Sequence, residues 1–292
     1  MRDCAVTLDN FLLVDVHHHT PRRSTIKPAW HQWAHDFGDA EVMAAVYPDG
    51  EHVSPEGYAD LLRAEGVDIA LTIAEYSPKA TGIQPIEDLL PLVDHAPGLV
   101  RFIGNVNPHL HFPAEDEVQR QVDLGAVALK IHPVHGGFAA NDRGLYGAYA
   151  LCQELGLPVV VHCGTSSFPG SSNALAHPEL LDDVLRDFRS LDVVLAHGGR
   201  GWWYDAAAFL ALSNEHVWIE LSGLPPSRLP EYYARHNWKR LTRRMIFGTD
   251  WPGVPGIAQN ARAIAALCPD DEVTGLVLGG NAVQVYGLTD PR

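Results

Sequence analysis

Short runs of apolar residues recur along the chain, and the segments between them carry apolar residues three or four positions apart. Most of these runs are continuous, which is typical of parallel strands covered on both faces. Strands that alternate with helices in this way predict an α/β fold built from βα units. The number of runs is the number that closes a (β/α)8 barrel. The predicted strands are Leu12–His17, Val67–Ala74, Val100–Val106, Ala126–Ile131, Pro158–His162, Val193–His197, Val217–Leu221 and Met245–Gly248.

Start and stop signals support helices between the strands. Ser54 followed by Pro55 predicts a capped helix start, and Gly66 predicts its end. A second helix is predicted over Leu145–Leu155, before Gly156. His177 followed by Pro178 predicts the start of another.

The longest connection outside this alternation of strands and helices is Thr20–Val53, directly after the first strand. Loops of this length in a compact domain are usually active-site lids or disordered segments. We expect a lid over the barrel mouth, with a disordered loop as the alternative.

Composition limits the classes of partner. The chain has 292 residues, which we interpret as one domain over 1–292. A formal net charge of -15 argues against nucleic-acid and anionic-membrane partners, which need clustered basic residues. No signal peptide or spanning helix is expected. Separated cysteines at Cys4, Cys152, Cys163 and Cys268 predict no disulfide framework and fit a cytoplasmic protein, and a homodimer is a reasonable expectation.

Polar residues follow the apolar runs at several strand ends. His17, His162, His197 and Asp250 each lie at or just after the carboxyl end of a predicted strand. In a barrel these ends converge on the face where active sites are built. We therefore expect the four side chains to share one site.

The first strand ends in three consecutive histidines. Because side chains alternate along a strand, His17 and His19 should share one face and His18 the other. With His162 and Asp250, they form a set of three imidazoles and one carboxylate. Such a set suits a divalent metal, zinc first with manganese or iron as alternatives, and leaves room for a water.

His197 is the expected general acid or base, because the reference pKa of imidazole lies near neutrality. Binding of a second metal and a purely structural role are its alternatives. Asp250 is a second group expected to handle protons. Cys163 adjoins His162, but alternation turns it away, so a buried structural thiol is expected.

Five motifs, in chain order, resemble the amidohydrolase superfamily over nearly the whole chain. The similarity is to its amidohydrolase-related branch, which includes aminocarboxymuconate semialdehyde decarboxylase. The motifs are Asp15-Val16-His17-His18-His19, Leu129-Lys130-Ile131-His132-Pro133, His162-Cys163-Gly164-Thr165, Ala196-His197-Gly198-Gly199 and Phe247-Gly248-Thr249-Asp250-Trp251-Pro252.

The resemblance implies a barrel with the metal held by His17, His19, His162 and Asp250, and a base role for His197. It also implies one metal, because this branch is mononuclear, and a small-molecule substrate. Branch members include decarboxylases, lactone hydrolases and hydratases. We favour hydrolysis of a small carboxylated lactone, ester or amide by a metal-activated water, with nonoxidative decarboxylation of an unsaturated or aromatic acid as the alternative.

Substrate binding is expected from residues beside these motifs. Lys130 and His132 should share a face, and Lys130 is interpreted as a free ammonium that binds a substrate carboxylate or pairs with Asp250. A carboxylated Lys130 that bridges two metals, as in other superfamily members, is the alternative. Arg200 follows two glycines and should grip a carboxylate, or else pair with Asp205. Trp251 is also expected to contact substrate.

Overall fold

The protein is a TIM barrel with an additional β-hairpin. The structure, a computed structural model, describes residues 7–292, so Cys4 and the rest of the first six residues lie outside it. Strands β3 and β4 form an antiparallel hairpin, and the other eight form one parallel sheet in the order β1-β2-β5-β6-β7-β8-β9-β10. The strands are β1 (Val14–His18), β2 (Ile69–Ile73), β3 (Glu75–Ser77), β4 (Gly82–Gln84), β5 (Val100–Val106), β6 (Leu129–Ile131), β7 (Val159–Gly164), β8 (Val193–Arg200), β9 (Val217–Glu220) and β10 (Met245–Ile246).

Backbone hydrogen bonds between β1 and the segment after β10 bring the two edges of the sheet together. The amide of Val16 donates to the oxygen of Phe247 at 3.3 Å, and the amide of His19 donates to the oxygen of Trp251 at 2.8 Å. The eight-stranded barrel predicted from the sequence is therefore confirmed. Every predicted run overlaps one barrel strand, although β10 is only two residues long and β8 continues past His197 to Arg200.

Helices fill most of the connections. Fourteen α-helices, several single turns of 3-10 helix and one π-helical turn at Leu276–Gly280 follow each other along the described residues. None of the described helices has the length and apolar character needed to cross a membrane. The α-helices are α1 (Pro28–Phe37), α2 (Ala40–Val46), α3 (Pro55–Ala64), α4 (Leu90–His95), α5 (Ala114–Asp123), α6 (Pro133–Gly136), α7 (Tyr146–Leu155), α8 (Asp182–Asp187), α9 (Tyr204–Ser213), α10 (Leu229–Tyr232), α11 (Trp238–Leu241), α12 (Ile257–Ala265), α13 (Asp271–Gly275) and α14 (Asn281–Tyr286). The 3-10 turns are Leu8–Asn10, Arg23–Thr25, Ile86–Asp88, Arg143–Leu145, Asn173–Ala176, Pro178–Leu181, Pro226–Arg228 and Thr242–Arg244.

The helix boundaries follow the signals in the sequence. The Ser54 side chain accepts a hydrogen bond from the amide of Gly57 and caps α3, and Gly156 ends α7 in the left-handed conformation. His177 caps a 3-10 turn at Pro178–Leu181, which continues into α8. The predicted helix there thus begins as a 3-10 turn.

The connection between β1 and β2 is not a structureless loop. Its Thr20–Val53 part, which was expected to be a long loop, contains a 3-10 turn, α1 and α2 between short irregular segments, and α3 follows it. Pro28 occupies the first turn of α1, and Trp30 and Ala34 bury one face of the helix. Asp39 caps α2 by accepting hydrogen bonds from two backbone amides. That this segment acts as a lid stays a prediction.

Side chains of the strands divide between two apolar layers. Val160 of β7 belongs to a cluster inside the barrel, where it meets residues of α14, whereas Val159 and Val161 pack outward against the surrounding helices. Cys163 lies in the same outer layer, as alternation predicts, and is a free thiol like Cys152 and Cys268. The apolar inner cluster leaves the carboxyl ends of the strands for polar side chains.

Candidate active site

The four residues predicted as metal ligands converge at the carboxyl ends of the strands. Nε2 of His17 lies 3.6 Å from Oδ1 of Asp250, and Nε2 of His19 lies 3.2 Å from the same oxygen. The ring of His197 has its centroid 4.5 Å from that of His162 and 5.0 Å from that of His17. The ligand atoms of His17, His197 and Asp250 all lie within 4.8 Å of one another, so this group contains His197 in place of the predicted His19 and His162, which lie beside it.

Asp250 is positioned by the closure of the barrel. The backbone amide and hydroxyl of Thr249 donate to the carboxylate of Asp15 at 3.0 and 2.7 Å. The amide of Asp250 donates to the oxygen of His17 at 3.0 Å. Asp250 has a φ of 70°, a conformation that costs a non-glycine residue on the order of 1–3 kcal/mol and often marks functional sites. The contacts of β1 therefore hold the carboxylate beside His17.

The first strand departs from simple alternation where its histidines begin. Val14 and Val16 both belong to the inner cluster, so alternation alone would turn His17 outward. The register of β1 against β2 shifts between Asp15 and His18, as at a β-bulge, and His17 reaches Glu220 across the barrel. His18 lies on the opposite side, against the hydroxyl of Tyr58.

His197 also points inward against the alternation of its strand. Val194 and Ala196 belong to the inner cluster and Leu195 to the outer layer, so His197 would follow Leu195 outward. Its φ of 64° redirects the backbone, and the ring lines the central cavity. Among the described residues, His197 and Asp250 are the two non-glycine residues with positive φ. Both therefore have strained backbone at the same site.

Hydrogen bonds assign the tautomers of three rings and leave one nitrogen of each as an acceptor. Nδ1 of His17 donates to Glu220 at 2.7 Å, Nε2 of His162 donates to the oxygen of Gly164 at 2.9 Å, and Nδ1 of His197 donates to the oxygen of Ser222 at 3.0 Å. Nε2 of His17 and Nδ1 of His162 are buried without a hydrogen-bond partner among the described residues.

These free nitrogens fit a bound cation. Leaving a buried acceptor unpaired costs roughly 1–3 kcal/mol, which a metal ion would relieve. Metal-bound histidines commonly donate their other ring N–H to a carboxylate or carbonyl, as His17 and His162 do here. The donor set is thus compatible with a divalent metal.

Charges at the site keep the carboxylate ionised and the rings neutral. Burial by itself would raise the pKa of Asp250, but the hydrogen bond from His19 and the charge of Arg200 lower that pKa far below its usual range. Burial, reinforced by neighbouring positive groups, lowers the pKa of His17, His162 and His197. Neutral imidazoles and an ionised carboxylate are the forms that bind metals.

Two of the four residues predicted to bind substrate line the cavity, and two do not. Arg200 and His132 line the cavity, and a guanidinium nitrogen of Arg200 lies 3.7 Å from Oδ2 of Asp250. Asp205, the alternative partner of Arg200, pairs with Arg235 at 2.8 Å instead.

Lys130 and Trp251 do not reach the cavity. Nζ of Lys130 is buried without a hydrogen-bond partner among the described residues, and burial lowers the pKa of this amine. Trp251 is buried behind the site and stacks on His18, with ring centroids 5.7 Å apart. The expected contact of Trp251 with substrate does not match this position, because its neighbour Asp250 turns inward and Trp251 turns away.

The cavity above the site has a volume of about 310 Å³. Its polar lining includes the site residues and the polar side chains of the loop after β7. The site residues among them are His19, His132, His162, His197, Arg200 and Asp250. Its aromatic lining comes from Trp30, Trp33 and Phe37 of α1 and from Phe168. The cavity therefore suits a small molecule that has both a flat apolar part and an anionic group.

A second group of titratable side chains lines the same cavity. Glu75, His132 and His135 are all buried, and each offers a ligand atom within 4.8 Å of those of the other two. Burial would raise the pKa of Glu75, but the imidazole of His135, whose Nδ1 lies 3.5 Å from the carboxylate, and the nearby His19 lower it to about 2. Burial and the nearby His135 and His162 lower the pKa of His132.

Sequence reasoning missed several of these residues. Glu75 directly follows a predicted strand, and Glu220 is the penultimate residue of another, which is the same signal that identified His162 and Asp250. His135 lies three residues after His132 and could have been found by its spacing. Nothing in the sequence indicates that the hydroxyl of Ser222 contacts the rings of both His17 and His197, at 3.0 and 2.9 Å.

Comparisons with known proteins show the family and the fold of the chain. The family model described as "Amidohydrolase" matches residues 14–288. No curated protein sequence matches the chain.

Solved structures show the same fold at low sequence identity. The chain is similar to an uncharacterized TIM-barrel protein from Bordetella bronchiseptica, with a TM-score of 0.73 and 21% identity over 94% of this chain and 98% of that one. A dihydroxybenzoic acid decarboxylase from Polaromonas sp. JS666, solved with bound manganese, has a TM-score of 0.68 and 13% identity over 95% and 97%. A probable 2-pyrone-4,6-dicarboxylic acid hydrolase from Acinetobacter baumannii, with citric acid bound, has a TM-score of 0.63 and 17% identity over 94% and 99%.

Proposed function

Since this chain belongs to the amidohydrolase family, we propose that it is a metal-dependent hydrolase of a small carboxylated lactone, ester or amide. The free acceptor nitrogen of His197 carries this proposal. Because the oxygen of Ser222 can only accept, the proton of His197 resides on Nδ1, and Nε2 is ready to take a proton from water. Hydrolysis needs such a base in the resting enzyme, whereas protonation of a substrate carbon needs an acid.

The metal ligands in this proposal are His17, His19, His162 and Asp250. A divalent ion bound there would polarise a carbonyl group and lower the pKa of a water to near 7. Zinc suits three imidazoles and one carboxylate, and manganese, which is bound in the decarboxylase from Polaromonas, and iron are alternatives. Glu220 and the oxygen of Gly164 would hold two of the ligand rings in orientation.

Arg200 is the proposed anchor for the substrate carboxylate. Its guanidinium lines the cavity and is already oriented by a hydrogen bond to the oxygen of Thr165 at 3.1 Å. A guanidinium can bind a carboxylate through two parallel hydrogen bonds, which fixes the rest of the substrate in the cavity. Trp33 and Phe168 would contact the apolar part of the substrate.

Nonoxidative decarboxylation is the second proposed function. The observation that favours it is the aromatic lining of the cavity, which suits a planar carboxylic acid beside Arg200. The similar fold of a dihydroxybenzoic acid decarboxylase supports the same idea by analogy. In this reaction His197 would first have to be protonated in order to deliver a proton to carbon.

Isotope labelling separates the two reactions. Metal-free enzyme reloaded with Zn²⁺ or Mn²⁺ is assayed in ¹⁸O-labelled water against carboxylated lactones, esters and amides and against aromatic acids. Hydrolysis places one labelled oxygen in the product and releases no carbon dioxide. Carbon dioxide release from an acid, without label in the organic product, identifies the decarboxylase, and full activity after chelation overturns both proposals.

Removal of the base tests the role of His197. We expect His197→Gln to lower turnover by about 10²–10⁴-fold while its metal content stays unchanged. His35→Gln, at an exposed histidine of α1, is the matched control and should retain activity. Unchanged turnover in His197→Gln would exclude His197 as the base.

A further inference from the structure

A second cavity adjoins the cavity of the candidate active site, which is called the first cavity below. The second cavity has a volume of about 430 Å³. Four residues line both cavities: Trp33, Phe37, Arg200 and Asp250. Because Asp250 is a proposed metal ligand and Arg200 the proposed carboxylate anchor, the two cavities meet at the proposed reaction centre.

Two of the shared side chains lie against glycines at this boundary. A Cβ added to Gly253 would collide with the indole of Trp33, and a Cβ added to Gly223 would collide with the guanidinium of Arg200. Such close approaches of a side chain to the backbone require glycine. Trp33 and Arg200 are therefore held between the two cavities.

The second cavity differs from the first in the character of its walls. Its walls come from residues 223–226 after β9, from residues 253–256 after β10 and from α12. Apart from the shared Arg200 and Asp250, none of its lining residues is ionisable, whereas the first cavity has a carboxylate and several imidazoles of its own. Burial of an unpaired charge is costly, so the second cavity suits an uncharged group. Its unshared apolar side chains are Leu224, Pro225, Pro226, Val254, Pro255 and Ala263.

Two carboxamides give the second cavity a polar edge. Gln259 and Asn260 lie in the first turn of α12 and line the cavity. Neither side chain hydrogen-bonds to another residue of the range 7–292. A carboxamide offers both donors and an acceptor, so this edge can bind a carbonyl, hydroxyl or amide group of a ligand.

We propose that the second cavity binds the uncharged half of a two-part ester or amide substrate. The carboxylated half lies in the first cavity against Arg200, and the bond to be hydrolysed lies beside Asp250, where the cavities meet. Water adds its oxygen to the acyl carbon, the C–O or C–N bond breaks, and the leaving oxygen or nitrogen takes a proton through His197. The inference rests on the proposed hydrolysis and narrows it to substrates that give two products, because a small lactone would leave the second cavity empty.

Binding of two unreactive keto acids tests the second cavity without turnover. Levulinic acid has a ketone in place of the ester or amide carbonyl, and its derivative with a phenyl group on the terminal methyl carbon adds an uncharged ring. Isothermal titration calorimetry measures the affinity of both compounds for the Zn²⁺-loaded enzyme. We expect the phenyl compound to bind about 10–50-fold more tightly, because the ring is buried against apolar walls.

Filling the second cavity should remove this difference. Ala263→Phe places a ring in the cavity from an exposed position of α12, so we expect the two compounds to bind with similar affinity and levulinic acid to bind as in the wild type. Ala150→Phe is the matched control, because Ala150 is an exposed alanine of α7 that lines neither cavity. This variant should keep the full advantage of the phenyl compound.

The possible results separate the second cavity from the reaction. Equal affinity of both compounds for the wild type overturns the proposal, and so does a full advantage in Ala263→Phe, since the ring then binds elsewhere. If Ala263→Phe fails to fold, a crystal structure of the wild type with the phenyl compound decides: a ring against α12 supports the proposal, and a ring against Phe168 overturns it.

The benzyl and methyl half-esters of succinic acid test the reaction itself. Faster hydrolysis of the benzyl ester supports both proposals. Tighter binding of the phenyl keto acid without hydrolysis of either ester retains the second cavity as a binding site and overturns the proposed hydrolysis. Equal hydrolysis of both esters, with equal binding of both keto acids, retains the hydrolase and overturns the second cavity.

Discussion

Glu220 and Ser222 show how single residues orient the proposed ligands. Glu220 is fully buried and accepts the N–H of His17 at 2.7 Å, while its other oxygen accepts the amide of Ser222 at 2.5 Å. Ser222 in turn contacts the ring of His197. The last residue of β9 and the turn that follows it therefore orient a proposed ligand, His17, and the proposed base, His197.

Removal of the Glu220 carboxylate should weaken metal binding. Glu220→Gln keeps the shape of the side chain but loses the charge that makes the His17 ring a better donor, so we expect metal affinity to fall by about 10–100-fold. Competition with a fluorescent chelator measures the affinity. The exposed Glu231→Gln serves as the control. Equal affinities in the two variants would show that Glu220 does not support the metal site.

Gly223 offers a test of the space around Asp250. Its φ is 62°, and an added Cβ would collide first with the guanidinium of Arg200, and would lie 2.9 Å from Oδ2 of Asp250 and 3.4 Å from Nδ1 of His197. We expect Gly223→Ala to displace these groups and lower turnover about 100-fold, since a displacement near 1 Å can cost that much.

Gly66→Ala is the matched control for this substitution. Gly66 has a φ of 69°, so an alanine there is strained in the same way, but its Cβ would meet nothing within 4 Å. We expect a loss of about 1 kcal/mol in the free energy of unfolding and no loss of turnover. If both variants lose turnover equally, backbone strain and not crowding at Asp250 is responsible.

At the scale of elements, α1 contributes the aromatic lining. The sequence had the signals for this helix, with Pro28 at its start and Trp30, Trp33 and Ala34 spaced three and four apart. Trp33 contacts the rings of Phe168 and His19, with centroids 6.1 and 6.5 Å away. A helix that packs between a cavity and a proposed ligand is well placed to select substrates.

Truncation of Trp33 tests this role. We expect Trp33→Leu to raise KM about 10-fold, as the loss of aromatic contact costs roughly 1–2 kcal/mol, with a smaller change in kcat. Trp202→Leu, at a largely exposed tryptophan outside this cavity, is the control. Steady-state kinetics on the identified substrate separates KM from kcat. A fall in kcat alone would indicate that Trp33 positions the reacting groups.

The sequence predicted the strands better than the directions of the side chains on them. Apolar runs and strand-end polar residues were sufficient for the barrel and for bringing His17, His162 and Asp250 to one face. Alternation could not predict that His197 and Asp250 adopt positive φ or that β1 shifts register, because each is a local departure from the two-residue period of a regular strand. Trp251 was misplaced for the same reason.

At the scale of the whole molecule, the interior of the barrel is apolar at one end and polar at the end where the carboxyl ends of the strands meet. Lys130 lies in the interior between these two parts. Its ammonium has no hydrogen-bond partner among the described residues, and its neighbours on β6, Leu129 and Ile131, pack outward. Burial is the main cause of its lowered pKa, with Glu220 and Glu75 opposing the shift. Burial disfavours the charged form of an amine. Such an amine therefore lowers the free energy of unfolding at every pH at which it is charged in the unfolded chain.

The pH dependence of stability should reveal this penalty. Because the pKa of Lys130 is lower in the folded state than the roughly 10.4 of an unfolded lysine, the unfolded state binds more protons between the two values. Over that range, the free energy of unfolding of the metal-free wild type should rise with pH, by at most about 1.4 kcal/mol per pH unit from this group. Lys130→Met removes the charge and should remove that slope.

Urea unfolding of both proteins between about pH 6.5 and 10.5 measures the difference. We expect Lys130→Met to be more stable by about 1–4 kcal/mol at the acidic end, and the advantage to shrink toward the alkaline end, where a growing fraction of the lysine is neutral in the unfolded chain as well. Lys239→Met, at an exposed lysine of α11, should reproduce the wild-type slope. A variant that keeps the slope, or is less stable throughout, would show that Lys130 forms a stabilising ion pair in solution.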